Sequence, residues 1–94
     1  MKKLQLDYIS KKLLELTSTS YNIWDSAMEL EDLIGEHEID SSNSLLVEAI
    51  EDFGYDLAFF QPDPAKRDDP SLYDSEELVM RATMLRAEIH KEIG

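Results

Sequence analysis

The chain contains no cysteine among its 94 residues. Disulfides, thiolate-bound zinc and a thiol nucleophile are therefore excluded. Glycine occurs only three times, and no glycine-rich loop suited to cradling a phosphate is present. No apolar run approaches the roughly 18 residues that a membrane-spanning helix needs. Met1-Lys2-Lys3 offers a basic flank, but Gln5, Asp7, Ser10, Lys11 and Lys12 break up the greasy stretch that a secretory signal requires. The expectation is a soluble, cytoplasmic protein whose residues 1–94 form one helical domain with one core.

Histidine occurs twice, at His37 and His90, and neither lies in a motif with a recognisable nucleophile. His37, between Glu36 and Glu38, reads as a solvated turn residue. His90 falls near a helix C-terminus, a favourable position with respect to the helix dipole that needs no further explanation. Carboxylates are so frequent that no single pair marks acid–base chemistry. The twelve residues from Asp63 to Asp74 have the length of an EF-hand loop, but Ala65 and Arg67 fill its third and fifth positions and Asp68 replaces its turn glycine. No catalytic residue, cofactor or metal site is expected, and the chain reads as a non-enzyme.

Bases are missing from the middle of the chain. From Asp25 to Glu77, seventeen Asp and Glu face only Lys66 and Arg67, a balance of −15. The two ends hold four acids and seven bases, +3, which gives the whole-chain −12. Self-repulsion on that scale costs a small domain stability, so the acidic middle points to a surface for a cationic partner. It opposes direct binding to nucleic acid or to an anionic membrane, where phosphates would repel it.

Hydrophobic spacing predicts four helices. Leu6, Ile9, Leu13 and Leu16 share a face in a segment from about Leu4 to Leu16. The run Thr17-Ser18-Thr19-Ser20 ends it and supplies cap hydroxyls for a second segment, whose stripe is Ile23, Ala27, Leu30 and Ile34. Gly35 stands where a helix C-cap would fall. Trp24 and Met28 either broaden that buried face or form a contact surface. The third segment opens at Ser42 or Asn43 and runs to about Phe60, with Leu46, Ala49, Ile50, Phe53, Leu57 and Phe60 inward. Gln61–Leu72, with three prolines and Asp63, Asp68 and Asp69, reads as an acidic connecting loop. Asp74 and Glu77 have capping-box spacing ahead of Leu78, Ala82, Leu85 and Ile89. The expected fold is all-α, an antiparallel four-helix bundle.

The third helix has a conspicuous outer face. At about 100° per residue, Glu48, Glu51, Asp52, Tyr55 and Phe59 fall roughly 140–240° from Leu46, with Asp56 at the edge. Aromatics ringed by carboxylates match the anatomy of a protein interface. Phe59 has an alternative use, packing under the following loop. The acidic loop continues from this face and is long for so small a domain. The candidate partner-binding residues are therefore Asp52, Tyr55, Asp56, Phe59, Asp63, Asp68 and Asp69.

The run Glu51-Asp52-Phe53-Gly54-Tyr55-Asp56-Leu57-Ala58-Phe59-Phe60-Gln61-Pro62-Asp63-Pro64-Ala65-Lys66-Arg67, followed by Tyr73-Asp74-Ser75-Glu76-Glu77-Leu78, resembles the colicin D immunity family. Related members of that family guard against contact-dependent growth inhibition toxins. The resemblance implies a small acidic helical bundle that covers the basic active-site cleft of a toxin cutting transfer RNA, its carboxylates standing in for phosphates. Asp63, in the matched Pro-Asp step, is the position most directly carried over. Pro64, Lys66 and a longer Asp68–Leu72 stretch depart from the pattern and imply a different cognate toxin.

The function expected is thus an immunity protein, monomeric, that inhibits a basic ribonuclease domain. Two other readings fit the composition. One is a nucleic-acid mimic acting on a DNA-binding enzyme or repressor; the other is an acidic helical adaptor using the Trp24/Met28 surface.

Overall fold

Amphipathic spacing becomes four helices in this computed structural model, which describes residues 3–18, 23–61, 63–66, 68, 70 and 72–93. Helix α1 runs Leu6–Ser18, α2 Ile23–Glu36, α3 Ser44–Asp56 and α4 Ser75–Ile93. Two short 3₁₀ turns, Leu57–Phe59 and Pro64–Lys66, lie between α3 and α4. α1 packs along α4 and α2 along α3, while α1–α2 and α3–α4 contacts close the ring. Neighbours are antiparallel. Ser10 on α1 meets His90 near the end of α4, Asn43 before α3 reaches Glu92 at the end of α4, and Trp24 at the start of α2 stacks near Phe60 beyond α3. The all-α bundle expected from periodicity is the architecture observed.

The stripes land inside almost as spaced. The predicted residues of α1, α2 and α4 are all buried, as are Leu46, Ile50, Phe53, Leu57 and Phe60. They form one cluster, which also takes in Leu4, Ile39 and Tyr73. Each large side chain so buried contributes about 1.5–3 kcal/mol, so the stripe decides which way a helix faces. Ala49 departs from the expectation and is exposed. It lies at the stripe's edge, where one methyl group is too short to reach the core.

Helix ends explain the other departures. Leu4 is buried outside α1: its N–H donates to Glu38 O at 2.7 Å, and Asp40 N–H donates back to Leu4 O at 2.9 Å. Gly35 is not a left-handed cap, since α2 continues through Glu36 and no glycine among the described residues has positive φ. His37 is the cap instead. Its Nδ1–H donates to Leu33 O at 3.0 Å, leaving the ring half-buried rather than solvated as the sequence led us to expect. The Asn43 side chain accepts from Leu46 N–H at 3.2 Å and Asp74 from Glu77 N–H at 2.9 Å. The Asp74 capping box is only half formed, because the Glu77 carboxylate turns to Arg81 at 3.1 Å. The proposed Ser20 cap lies outside the described residues.

A second backbone clasp closes the opposite end of the bundle. Gln61 N–H donates to Tyr73 O at 2.9 Å and Tyr73 N–H to Phe59 O at 3.0 Å. The Tyr73 hydroxyl donates to Asp56 O at 2.9 Å. Its ring lies between Phe60, 5.9 Å away, and the Arg81 guanidinium, 4.4 Å away. The loop is thereby anchored to α3 and α4 at once.

Burial pushes the Tyr73 hydroxyl up from 10.0 to about 12, partly opposed by Arg81. The folded protein holds this proton more tightly than the unfolded chain does, so the contribution is whole below pH 10 and lost as pH rises from about 10 to 12. Thermal unfolding followed at pH 8, 10 and 11 should show a melting temperature falling across that window, and Tyr73→Phe should make the fall shallower. A second expectation concerns glycine. A Cβ on Gly54 would sit 2.7 Å from Ile34 Cγ2, whereas one on Gly35 would meet nothing within 4 Å. Overpacking costs about 1–3 kcal/mol and helix propensity returns up to about 1 kcal/mol. In urea unfolding, Gly54→Ala should lose about 1 kcal/mol net, and Gly35→Ala should gain up to about 1 kcal/mol.

Candidate partner-binding surface

Helix α2 carries Asp25, Glu29, Glu31, Asp32 and Glu36, and α3 carries Glu48, Glu51, Asp52 and Asp56; neither holds a lysine or arginine. Their side-by-side packing gathers nine carboxylates on one half of the bundle. The other half is nearly balanced, since α1 matches Asp7 and Glu15 with Lys11 and Lys12, and α4 has four acids against three bases. Among the described residues, bases pair with the acidic half at its seams. Lys12 Nζ lies 2.8 Å from Glu29, and this hydrogen bond raises the lysine's pKa against the opposing pull of burial. Arg81 Nη1 lies 3.3 Å from Asp56. Asp32, Glu48, Glu51 and Asp52, between the seams, are exposed and have no ion pair among the described residues.

The structure separates the residues the sequence had grouped. Tyr55 is 72% exposed and stands on the outer face of α3. Phe59 is half-buried against the core, and its ring supports Tyr55 at 5.9 Å between centroids and 55°. Asp52 is exposed and lines a shallow groove between α3 and α4 with Ala49, Arg81 and Met84. Asp56, on the same groove, already has its cation in Arg81. Asp63 is exposed but held: Oδ1 accepts from Ala65 N–H at 3.0 Å, its carbonyl accepts from Lys66 N–H at 3.0 Å, and its own N–H donates to Gln61 Oε1 at 3.2 Å. Asp68 is exposed, and Asp69 lies outside the described residues. Because the loop leaves at Phe60 and returns at Tyr73, it springs from the end of the bundle where Tyr55 and Asp56 sit.

Spacing along one helix did not disclose a groove between α2 and α3. It encloses about 410 Å³ and is lined by Glu31, Ile34, Gly35, Glu51, Gly54, Tyr55 and Ala58. Two glycines within helices were the available signal, since each costs about 1 kcal/mol relative to alanine and so marks a close approach or an open space. Gly54 lets Ile34 approach; Gly35 leaves room. Glu31 is half-buried, and its Oε2 has neither solvent contact nor a hydrogen-bond partner. The pair divides: Met28 packs on the core and broadens the buried face, whereas Trp24 stays exposed with its ring 6.0 Å from that of Phe60. Leu45 (78%) and Met84 (64%) are more exposed still.

The surface can attract and hold cations. Among the described residues no group of His, Asp and Glu is arranged to bind a metal ion, and no helix is long and apolar enough to cross a membrane. Ser10 Oγ lies 2.9 Å from His90 Nε2, but Ser10 is only 5% exposed. That pair fastens α1 to α4 and offers no accessible nucleophile. Comparisons of this chain with protein-family models, with characterised proteins and with solved structures find no match.

Proposed function

We propose that this protein is a cytoplasmic, non-catalytic inhibitor that captures a basic nuclease domain, in the manner of an immunity protein against a transfer-RNA-cutting toxin. The observation that carries the reading is the pairing of α2 with α3, nine carboxylates without a base, with Tyr55 exposed among them. A ribonuclease must hold a polyanion, so its cleft is cationic. Carboxylates displayed on rigid helices and on a pinned turn at Asp63 can meet those lysines and arginines through charge-assisted hydrogen bonds. Long-range attraction raises the association rate, toward roughly 10⁸ M⁻¹s⁻¹ at low salt. Tyr55, backed by Phe59, supplies desolvated contact area that slows release. The resemblance of Glu51–Arg67 to the colicin D immunity family supports the same reading. The same phosphate-like display would suit a DNA-binding target, and the substrate of the captured enzyme separates the two.

Leu45 and Met84, both exposed along the α3–α4 seam, favour a second reading: an adaptor that docks an apolar partner helix. Salt discriminates, since screening weakens charge capture and leaves apolar burial intact.

The test is co-expression with the nuclease domain of any toxin whose reading frame adjoins this chain's gene, together with binding measured at 50 and 300 mM salt. The wild-type protein should protect cells, and affinity should fall steeply with salt. Asp63→Lys combined with Asp68→Lys should weaken binding more than about tenfold, or 1.4 kcal/mol, and reduce protection. Full protection by that double variant would refute the assignment, and salt-independent binding would move it to the adaptor.

A further inference from the structure

Two hollows lie end to end along the α3–α4 seam and share Ala49 and Glu88, so together they make one groove. It follows α3 from Leu45 to Asp56, which at a rise of 1.5 Å per residue is about 16 Å, or three helical turns. The floor is apolar, with Leu46 and Phe53 on the α3 side, Leu85 on the α4 side and Ala49 between them. Ala49 stands at the edge of the inward stripe of α3 and is nevertheless exposed, because one methyl group cannot fill the gap. Leu45 and Met84 stand at the rims, and both are exposed.

The charges around this floor are unequally committed. Arg81 is held by Asp56 at 3.3 Å and by Glu77 at 3.1 Å, and Lys91 by Glu88 at 3.2 Å. Asp52 and Glu92 have no ion pair among the described residues, and Glu92 accepts a hydrogen bond from the Asn43 amide at 3.0 Å. The bases are taken, and a visitor meets spare negative charge beside an apolar floor. We infer that the α3–α4 groove docks a basic amphipathic helix of about three turns, an inference that rests on the adaptor reading above and names its partner's chemistry.

Three features select that occupant. The backbone groups of α3 and α4 are bonded within their own helices, so an extended segment finds no ladder to join, whereas a helix can set a ridge of side chains into the groove. Short Ala49 and flexible Met84 leave room for a large apolar side chain at the middle of that ridge. Lysines or arginines beside the ridge come near Asp52 on one wall and Glu92 on the other. An acidic helix would be repelled, and so would a second copy of a chain whose net charge is −12.

The probe is a capped peptide of about 14 residues, long enough to form a helix on binding, with leucines along one helical stripe and lysines elsewhere. It is titrated into isotopically labelled protein at physiological salt, where long-range attraction is screened. Two counterparts accompany it, one with glutamate in place of lysine and one with the same composition but its leucines dispersed. Saturable amide shifts should concentrate at Leu45, Ala49, Asp52, Met84 and Glu88, and both counterparts should bind at least about tenfold more weakly. Leu45→Lys and Met84→Lys alter exposed side chains and should each lower affinity about tenfold, while Asp7→Lys, an equal charge change on α1, should leave it within about twofold. Equal binding of the dispersed peptide, an equal loss in Asp7→Lys, or self-association that covers the seam would overturn the docking site. Equal binding of the lysine and glutamate peptides, both lost in Met84→Lys, would overturn the basic partner and keep the adaptor reading. The capture reading keeps its own test, because Asp63 and Asp68 lie outside this groove.

Discussion

The close approach of α2 to α3 at Gly54 is the constraint on which the acidic half of this protein depends. Two helices with nine carboxylates and no base repel one another, and burial between them, helped by Lys12 and Arg81 at the seams, offsets that repulsion. Gly54 permits it by leaving Ile34 against the α3 backbone, where any Cβ would intrude. Leu30, Ile34, Ile50 and Phe53 then contribute apolar burial on the scale of several kcal/mol. The outcome is a display surface and a groove made by one contact.

The cationic residues sit where they hold the acidic half without neutralising it. Lys12 and Arg81 bond from the two outer seams, and each also lies over a tyrosine ring, at 5.5 Å from Tyr8 and 4.4 Å from Tyr73. Arg81 joins α4 to the end of α3 while Tyr73 ties the loop to Asp56. The central acids Asp32, Glu48, Glu51 and Asp52 have no such partners among the described residues. A charge field left uncompensated between its fixed edges carries a cost in stability, and the proposed capture role would account for it.

Rigidity links this arrangement to function. Asp63 is locked by three hydrogen bonds with its turn, and Tyr55 is braced by Phe59. Groups already oriented lose little freedom on binding, so more of the contact energy appears as affinity. Asp56 is different, since Arg81 already occupies it and the proposed partner would have to compete for it. It therefore belongs to the scaffold of the surface more than to its reach.

By itself the sequence determined four helices, most of their inward faces, the Asp74 cap, the outward Tyr55 and the concentration of acid in the middle, and it left the start of the third helix between Ser42 and Asn43. Those are local properties, because a period of 3.6 residues and a cap within one turn depend on neighbours only three or four positions away. Gly35 inside its helix, the His37 cap, the half-buried Phe59 and the pairing of Leu4 with Ile39 were not legible in that way. Neither was the division of Tyr55 and Asp56 between two grooves, nor the isolation of Glu31. Periodicity assigns each helix an inside and an outside but not its neighbours. Tertiary packing chose the neighbours, because the fit at Gly54 and the clasps between residues distant in the chain exist only once the helices meet.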